Sequence, residues 1–237
     1  MKKSIVLIAA LLVASTIQAQ KRIKGNGNIT SVTRTTSDYN TVNFAGSFDY
    51  VLVSGKEGQI KIEGEENLLP YIITEVKNGN LTIKTENNIS LQTSRNKTIK
   101  ITVPFEDISA VSLAGSGDVW NEGIISTTRF KVSVTGSGDV KLNLDVTSIE
   151  AGVNGSGELD LKGKTNTLNV SVSGSGEYKG FNLDATDVDV SVTGSGDAKV
   201  VCNGHLKARV TGSGDIKYRG NPKTEDSKVA GSGSISN

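Results

Sequence analysis

The sequence predicts an all-β chain wound as a right-handed parallel β-solenoid of about seven short coils, with an antiparallel section at its N-terminal end. Three observations carry this. The first is alternation. Val132, Val134, Gly136, Gly138, Val140, Leu142 and Leu144 share one parity, while Ser133, Thr135, Ser137, Asp139, Lys141 and Asn143 share the other. That is the period of a strand with one buried face. The second is repetition. Gly-Ser-Gly recurs with its serine at Ser116, Ser137, Ser156, Ser175, Ser195, Ser213 and Ser232, at intervals of 21, 19, 19, 20, 18 and 19 residues. A near-constant period with parity kept marks units that bury their apolar faces only by stacking. The third is composition: 27 glycines against three prolines, with no helix-period stretch. Handedness rests only on the general preference of parallel crossovers.

Residues 1–19 read as a signal peptide: Lys2 and Lys3, an apolar run from Ile5 to Val13, then small and polar residues up to Ala19. The apolar run is too short to span a bilayer, so no integral membrane segment is expected after its removal. Residues 20–38 form a polar leader, with Gly25-Asn26-Gly27-Asn28 inside it, expected as a loose segment or an edge strand.

Residues 39–104 are the N-terminal β section. Ala45-Gly46-Ser47-Phe48-Asp49 is a worn copy of Ala114-Gly115-Ser116-Gly117-Asp118. Gln59–Glu63 reads as a short strand, Ile72–Val76 and Leu81–Lys84 as a hairpin on an Asn78-Gly79 type I′ turn. Asn87–Asn96 reads as a polar loop, and Lys97–Pro104 as a strand that the proline closes. Such a section is expected to cover the first coil, whose edge would otherwise present unpaired N–H and C=O groups.

Residues 105–237 are the repeat solenoid. Its corners carry paired glycines: Gly115 and Gly117, Gly136 and Gly138, Gly155 and Gly157, Gly174 and Gly176, Gly194 and Gly196, Gly212 and Gly214, Gly231 and Gly233. Both members fall on the apolar parity, which predicts an inward bend where only hydrogen fits. Gly138→Val is therefore expected to cost several kcal/mol, through an inward side chain and φ strain together. An acidic column follows the corners: Asp118, Asp139, Glu158, Glu177, Asp197 and Asp215. The plainer reading is that each carboxylate caps the N–H groups of its own turn. The sharper one is a calcium ladder, but calcium wants six to eight oxygens and one acid with one serine per coil supplies too few.

The signal peptide, the Gly46-Ser47-Phe48-Asp49 segment, the run Glu63-Gly64-Glu65-Glu66-Asn67-Leu68-Leu69-Pro70-Tyr71-Ile72 and the serial Gly-Ser-Gly-Asp corners occur together and in this order. On these residues the chain, from Tyr39 to its C-terminus, resembles the family described as putative auto-transporter adhesin, head GIN domain. The resemblance implies a secreted or envelope β-solenoid and brings no catalytic residues with it.

Composition excludes several classes. Loss of Lys2 and Lys3 from 26 Lys+Arg leaves 24 against 25 Asp+Glu, so the basic footprint of a nucleic-acid binder is missing. Cys202 is the only cysteine, so there is no disulfide framework, and His205 is the only histidine, so no His-based metal cluster. A Cys202–His205 pair has no third group to orient it. Stacked acids approach the 5–5.5 Å of a retaining glycosidase, but the same arrangement at six corners marks a repeat instead of one tuned site. The Gly-x-Gly turns lead into strands, not the helix N-terminus that a phosphate loop needs.

The expected protein needs no cofactor. It is an exported, non-catalytic adhesive or structural module, with a carbohydrate-binding, carbohydrate-active or sensing envelope protein as the alternative. Most aromatics take the inward parity; Trp120 takes the outward one and is the candidate contact aromatic, for a cell-surface or glycan ligand. Lys228–Asn237 lies within a repeat without an evident cap, from which a homo-oligomer is expected.

Overall fold

The computed structural model describes residues 20–237; the expected signal peptide lies outside them. The N-terminal strands are β1 (Lys21–Lys24), β2 (Ile29–Thr35), β3 (Thr41–Gly46), β4 (Asp49–Ser54) and β5 (Gln59–Glu65). A 3-10 turn over Leu69–Tyr71 leads to β6 (Ile72–Lys77), β7 (Asn80–Thr85), β8 (Ile89–Gln92) and β9 (Lys100–Phe105). The repeat region opens with β10 (Ala110–Gly115), β11 (Asp118–Glu122), β12 (Ile125–Gly136), β13 (Asp139–Gly155), β14 (Glu158–Gly174) and β15 (Glu177–Gly194). It ends with β16 (Asp197–Val201), β17 (His205–Gly212), β18 (Asp215–Arg219), β19 (Thr224–Gly231) and β20 (Ser234–Ser236).

Every pairing between repeat strands is parallel, and residues one period apart lie side by side. Gly46, Gly115, Gly136, Gly155, Gly174, Gly194, Gly212 and Gly231 form one column. The period-two pattern explains the core. Val132, Val134, Val140, Leu142 and Leu144 are buried, while their neighbours of the other parity face outward. Each such side chain contributes about 1.5–3 kcal/mol when buried, and only a stacked coil supplies the other half of the contact. One register shift falls between Asp160 and Lys162, opposite which β15 carries the extra residue of Gly180-Phe181. This bulge accounts for the 20-residue interval between Ser175 and Ser195.

The N-terminal section covers the first coil as expected. Strand β3 pairs β10 on one side and β7 on the other, and β4 lies between β11 and β9. The β6–β7 hairpin turns on Asn78 (φ 51°) and Gly79 (φ 74°), the positive pair of a type I′ turn. Strand β5 is antiparallel to both β2 and β9. Phe48, at the second-glycine position of the worn corner, turns into the core, edge-on to Tyr50 at 6.0 Å; Tyr50 in turn stacks on Phe44 at 4.1 Å.

Several local expectations are corrected. The leader carries two strands, β1 and β2, in keeping with the edge-strand alternative, whereas the polar loop, expected without a strand, carries β8, which pairs β1 in parallel as a small second sheet. Pro104 does not close its strand but sits inside it, opposite Val53. Strand β5 reaches only as far as Thr102 on the other side, so the missing N–H forfeits no ladder bond there.

The coil of β19 and β20, expected to be bare, carries its own polar covering. Glu225 and Ser227 stand in register with the buried Leu206 and Ala208. The Glu225 carboxylate accepts the Tyr218 hydroxyl at 2.8 Å and the Ser227 hydroxyl at 2.6 Å. An inward-pointing charge is a common device for blunting a sheet end.

Candidate functional site

The outer surface is built from columns, and the corners set their spacing. The N–H groups of Ser137 and Gly138 both donate to the Gly115 carbonyl one coil earlier, at 2.9 and 3.0 Å, and the Asp139 N–H donates to Gly117 at 3.1 Å. The corner amides are thus spent between coils.

A Cβ on either glycine of a corner would strike the preceding coil, as at Gly136, 2.4 Å from the Gly115 carbonyl oxygen, and the two differ in φ, which corrects the expectation of a single inward bend. The first has positive φ, +115° at Gly136 and +106° at Gly174, a region that L side chains rarely adopt. The second has no such φ. A Cβ on Gly176 would lie 2.6 Å from the Gly157 carbonyl oxygen and 2.6 Å from Val153 Cγ1. The hydrogen-only requirement at the second position therefore points along the stack, into the backbone of the coil before. No φ strain is available to Gly138→Val; its cost would come from that collision and from Leu113 Cδ2 at 2.8 Å.

The acidic column does not cap its own turns. Asp139 Oδ1 accepts the Glu158 amide at 3.2 Å, and Asp197 Oδ1 accepts the Asp215 amide at 2.9 Å. Asp215 Oδ1 accepts both the amide and the hydroxyl of Ser234 at 2.8 Å. Each aspartate so placed ties its own position to the same position one coil on. The two bonds from Ser234 hold the Asp215 carboxyl below its usual range.

The glutamates pair with lysines instead. Glu158 meets Lys179 at 2.5 Å and Glu177 meets Lys199 at 2.6 Å. These are surface pairs, each worth at most about 1 kcal/mol. Asp118 has no such lysine. Burial pushes its carboxyl up, and its column neighbours Asp139 and Asp49 push it further.

Among the described residues no three His, Cys, Asp or Glu side chains gather as a metal ligand set. Cys202 is buried, its thiol donating to the Thr186 carbonyl at 3.4 Å, and burial raises its pKa. His205 is exposed and engages Thr224 Oγ1 through Nδ1 at 2.6 Å. The two side chains are therefore committed to different partners.

Trp120 lies on the outer face, half-buried, in register with Val51 on one side and Lys141 on the other. Lys100 Nζ stands 6.0 Å from its ring centroid. Beside the columns before the corners run two hollows of about 430 and 550 Å³, which share Lys131, Glu150 and Asn169 in their linings.

One feature escaped the sequence reading. Glu65 is fully buried, its Oε1 accepting the Gly27 amide at 2.6 Å and the Ser94 hydroxyl at 2.5 Å, its Oε2 the Ser94 amide at 2.8 Å. Asn67 adds two bonds, donating to the Lys24 carbonyl at 2.7 Å and accepting the Asn26 amide at 3.0 Å. Burial pushes the Glu65 carboxyl up, but the Ser94 and Gly27 bonds and the nearby Lys97 outweigh it and hold it below its usual range. The Glu63–Ile72 run is thus a clasp that fastens the polar leader to the section it crosses.

A family profile described as putative auto-transporter adhesin, head GIN domain, matches residues 38–222. A crystal structure of a putative adhesin from Bacteroides fragilis superposes with a TM-score of 0.84 at 24% identity, covering 91% of this chain and 99% of that one. A protein from Parabacteroides distasonis described as a putative lipid binding protein has a TM-score of 0.75 at 28% identity, with the same coverage. A putative adhesin from the same species has a TM-score of 0.72 at 24% identity, again covering 91% and 99%. No curated protein matches the chain.

Proposed function

The chain belongs to the putative auto-transporter adhesin, head GIN domain family, and on that premise we propose that it is an exported, non-catalytic solenoid that binds a ligand on a cell surface or in the envelope through its ladder faces. The observation that carries this reading is the repetition itself. The acid, serine and lysine positions recur coil after coil and engage one another, as in Asp139 to Glu158 and Glu158 to Lys179. Catalysis needs one tuned and non-repeating cluster, whereas a repeating face suits a repeating or extended partner. Export is supported by the charged, then apolar, then small-residue order of residues 1–19.

A carbohydrate ligand is the second reading, and the hollows along Lys131, Glu150 and Asn169 favour it. Their walls set hydroxyl, amide and charged groups, including Ser133, Ser171 and Asp189, beside apolar surface from Val132, Ala151 and Val170. Such a lining suits a hydroxylated polymer better than the lipid named for the Parabacteroides neighbour. A homo-oligomer joined through the coil of β19 and β20 would have to bury Glu225, so we place the ligand on the ladder faces and not at that end.

The test is adhesion of residues 20–237 to glycan arrays and to bacterial cell-wall fractions, with and without calcium. Saturable binding that ignores calcium is the expected result, because the column aspartates already accept backbone N–H groups. Absence of binding to every surface would overturn the proposal.

A further inference from the structure

The outer face beyond the corners has one interruption. From β13 onward the column two residues after the corner holds Lys141, Asp160, Lys179, Lys199 and Lys217, all polar. In β4 and β11 the same column holds Val51 and Trp120. Val51 has outward parity yet is 1% exposed, so the outer face is locally apolar at this point. Trp120 sits beside it, half-buried on the outer face.

Aspartates of the acidic column lie beside this point. Asp49, Asp118 and Asp139 stand side by side in the next column. Like Asp197 and Asp215 at the later corners, they stand in no ion pair among the described residues: Asp49 accepts the Thr98 hydroxyl at 2.6 Å and Asp118 the Asp139 amide. Lys100 and Lys141 flank the indole without neutralising those carboxylates in an ion pair.

An aromatic face ringed by hydrogen-bonding groups is complementary to a pyranose ring, which has an apolar C–H face and polar edges. Three carboxylates and two ammonium groups nearly balance, so the patch has no strong field to select a polyanion or a polycation. Deepening the binding role proposed above, and resting on it, we propose that Trp120 is the stacking platform of a glycan subsite. It takes one pyranose of a neutral chain, whose hydroxyls bond Asp118, Lys100 and Lys141. The nearly flat column geometry lets the chain run on along the neighbouring coils, about 4.8 Å apart.

Trp120 is the only tryptophan, so intrinsic emission reports on this site alone. The mature chain is titrated with cellohexaose, xylohexaose and chitohexaose, and separately with phosphatidylcholine vesicles. The expected result is a saturable emission change with at least one oligosaccharide and none with vesicles. Calorimetry should then show affinity about tenfold lower in Trp120→Ala and largely kept in Trp120→Phe. Because Trp120 lies against Val51, Asp118→Asn serves as a second variant: it leaves the indole in place and should weaken binding with an unchanged melting temperature.

Emission unmoved by all three oligosaccharides, or moved by vesicles alone, overturns the subsite. If Trp120→Ala adheres to glycan surfaces as well as the parent protein, the subsite falls while the broader binding role stands. If the parent protein adheres to nothing, both fall.

Discussion

The corners at Gly46–Asp49 and Gly136–Asp139 follow the same path, yet only the second needs two glycines. Gly46 and Gly136 both have positive φ, +123° and +115°, so the first glycine belongs to the turn itself. The second position separates them. Phe48 carries a large side chain into the core there, because no Gly-Ser-Gly corner lies beneath it, only β9 of the N-terminal section. Gly138 has the carbonyl of Gly117 where a Cβ would go. A glycine that looks like a requirement of the bend is thus a requirement of the neighbour.

The most damaging change should be Gly155→Val, which combines a φ of +126° with a Cβ 2.5 Å from the Gly136 carbonyl oxygen. A loss on the order of 4 kcal/mol is expected by chemical denaturation. The comparison is sharpened by Phe48→Gly, which makes the first corner identical in sequence to the others. A corner that needed glycine for its own sake would be unharmed. The arrangement described here predicts a loss of about 3 kcal/mol, from the emptied space beside Tyr50.

The N-terminal section should also respond to acid through a carboxylate of its own. Glu65→Gln places an amide donor against the Ser94 or Gly27 N–H and should cost about 2 kcal/mol. The Glu65 carboxyl is depressed in the folded chain, so its contribution is complete above the ordinary value of 4.5 and is lost as pH falls through the lower folded value. Hydrogen exchange across that window should show β1 and β8 opening before β13 and β14, and the difference should vanish in Glu65→Gln. The smallest effect on stability is expected for Glu225→Leu, which restores the core residue type of Leu206. Its signature is stronger self-association in sedimentation than the parent chain shows.

Much of the fold was legible in the sequence because alternation and a period near 19 are local signals. Val132 to Leu144 declare a buried face, and the recurrence of Gly-Ser-Gly declares the stack. What parity cannot supply is direction along the stack. Both glycines share the apolar parity, so the collision with the preceding coil was read as an inward bend. The inter-coil bonds of Asp139, Asp197 and Asp215 were missed for the same reason, since their acceptor role depends on a residue 18 or 19 positions away. Glu65 was harder still. Its partners Gly27 and Ser94 lie 38 and 29 residues off in segments that look featureless. Of the outer face, Trp120 was found by parity alone, whereas the absence of lysine partners for Asp49 and Asp118 needed the register.

The most direct measurement is a paired thermal melt of Gly176→Ala and Gly152→Ala. Gly152 has no atom within 4 Å of an added Cβ and no positive φ, so alanine there should be neutral or stabilise by about 0.4–1 kcal/mol. Gly176 faces the backbone of the coil before, and alanine there should cost about 2 kcal/mol. Equal shifts at the two sites would contradict a stack in which each coil dictates the glycines of the next.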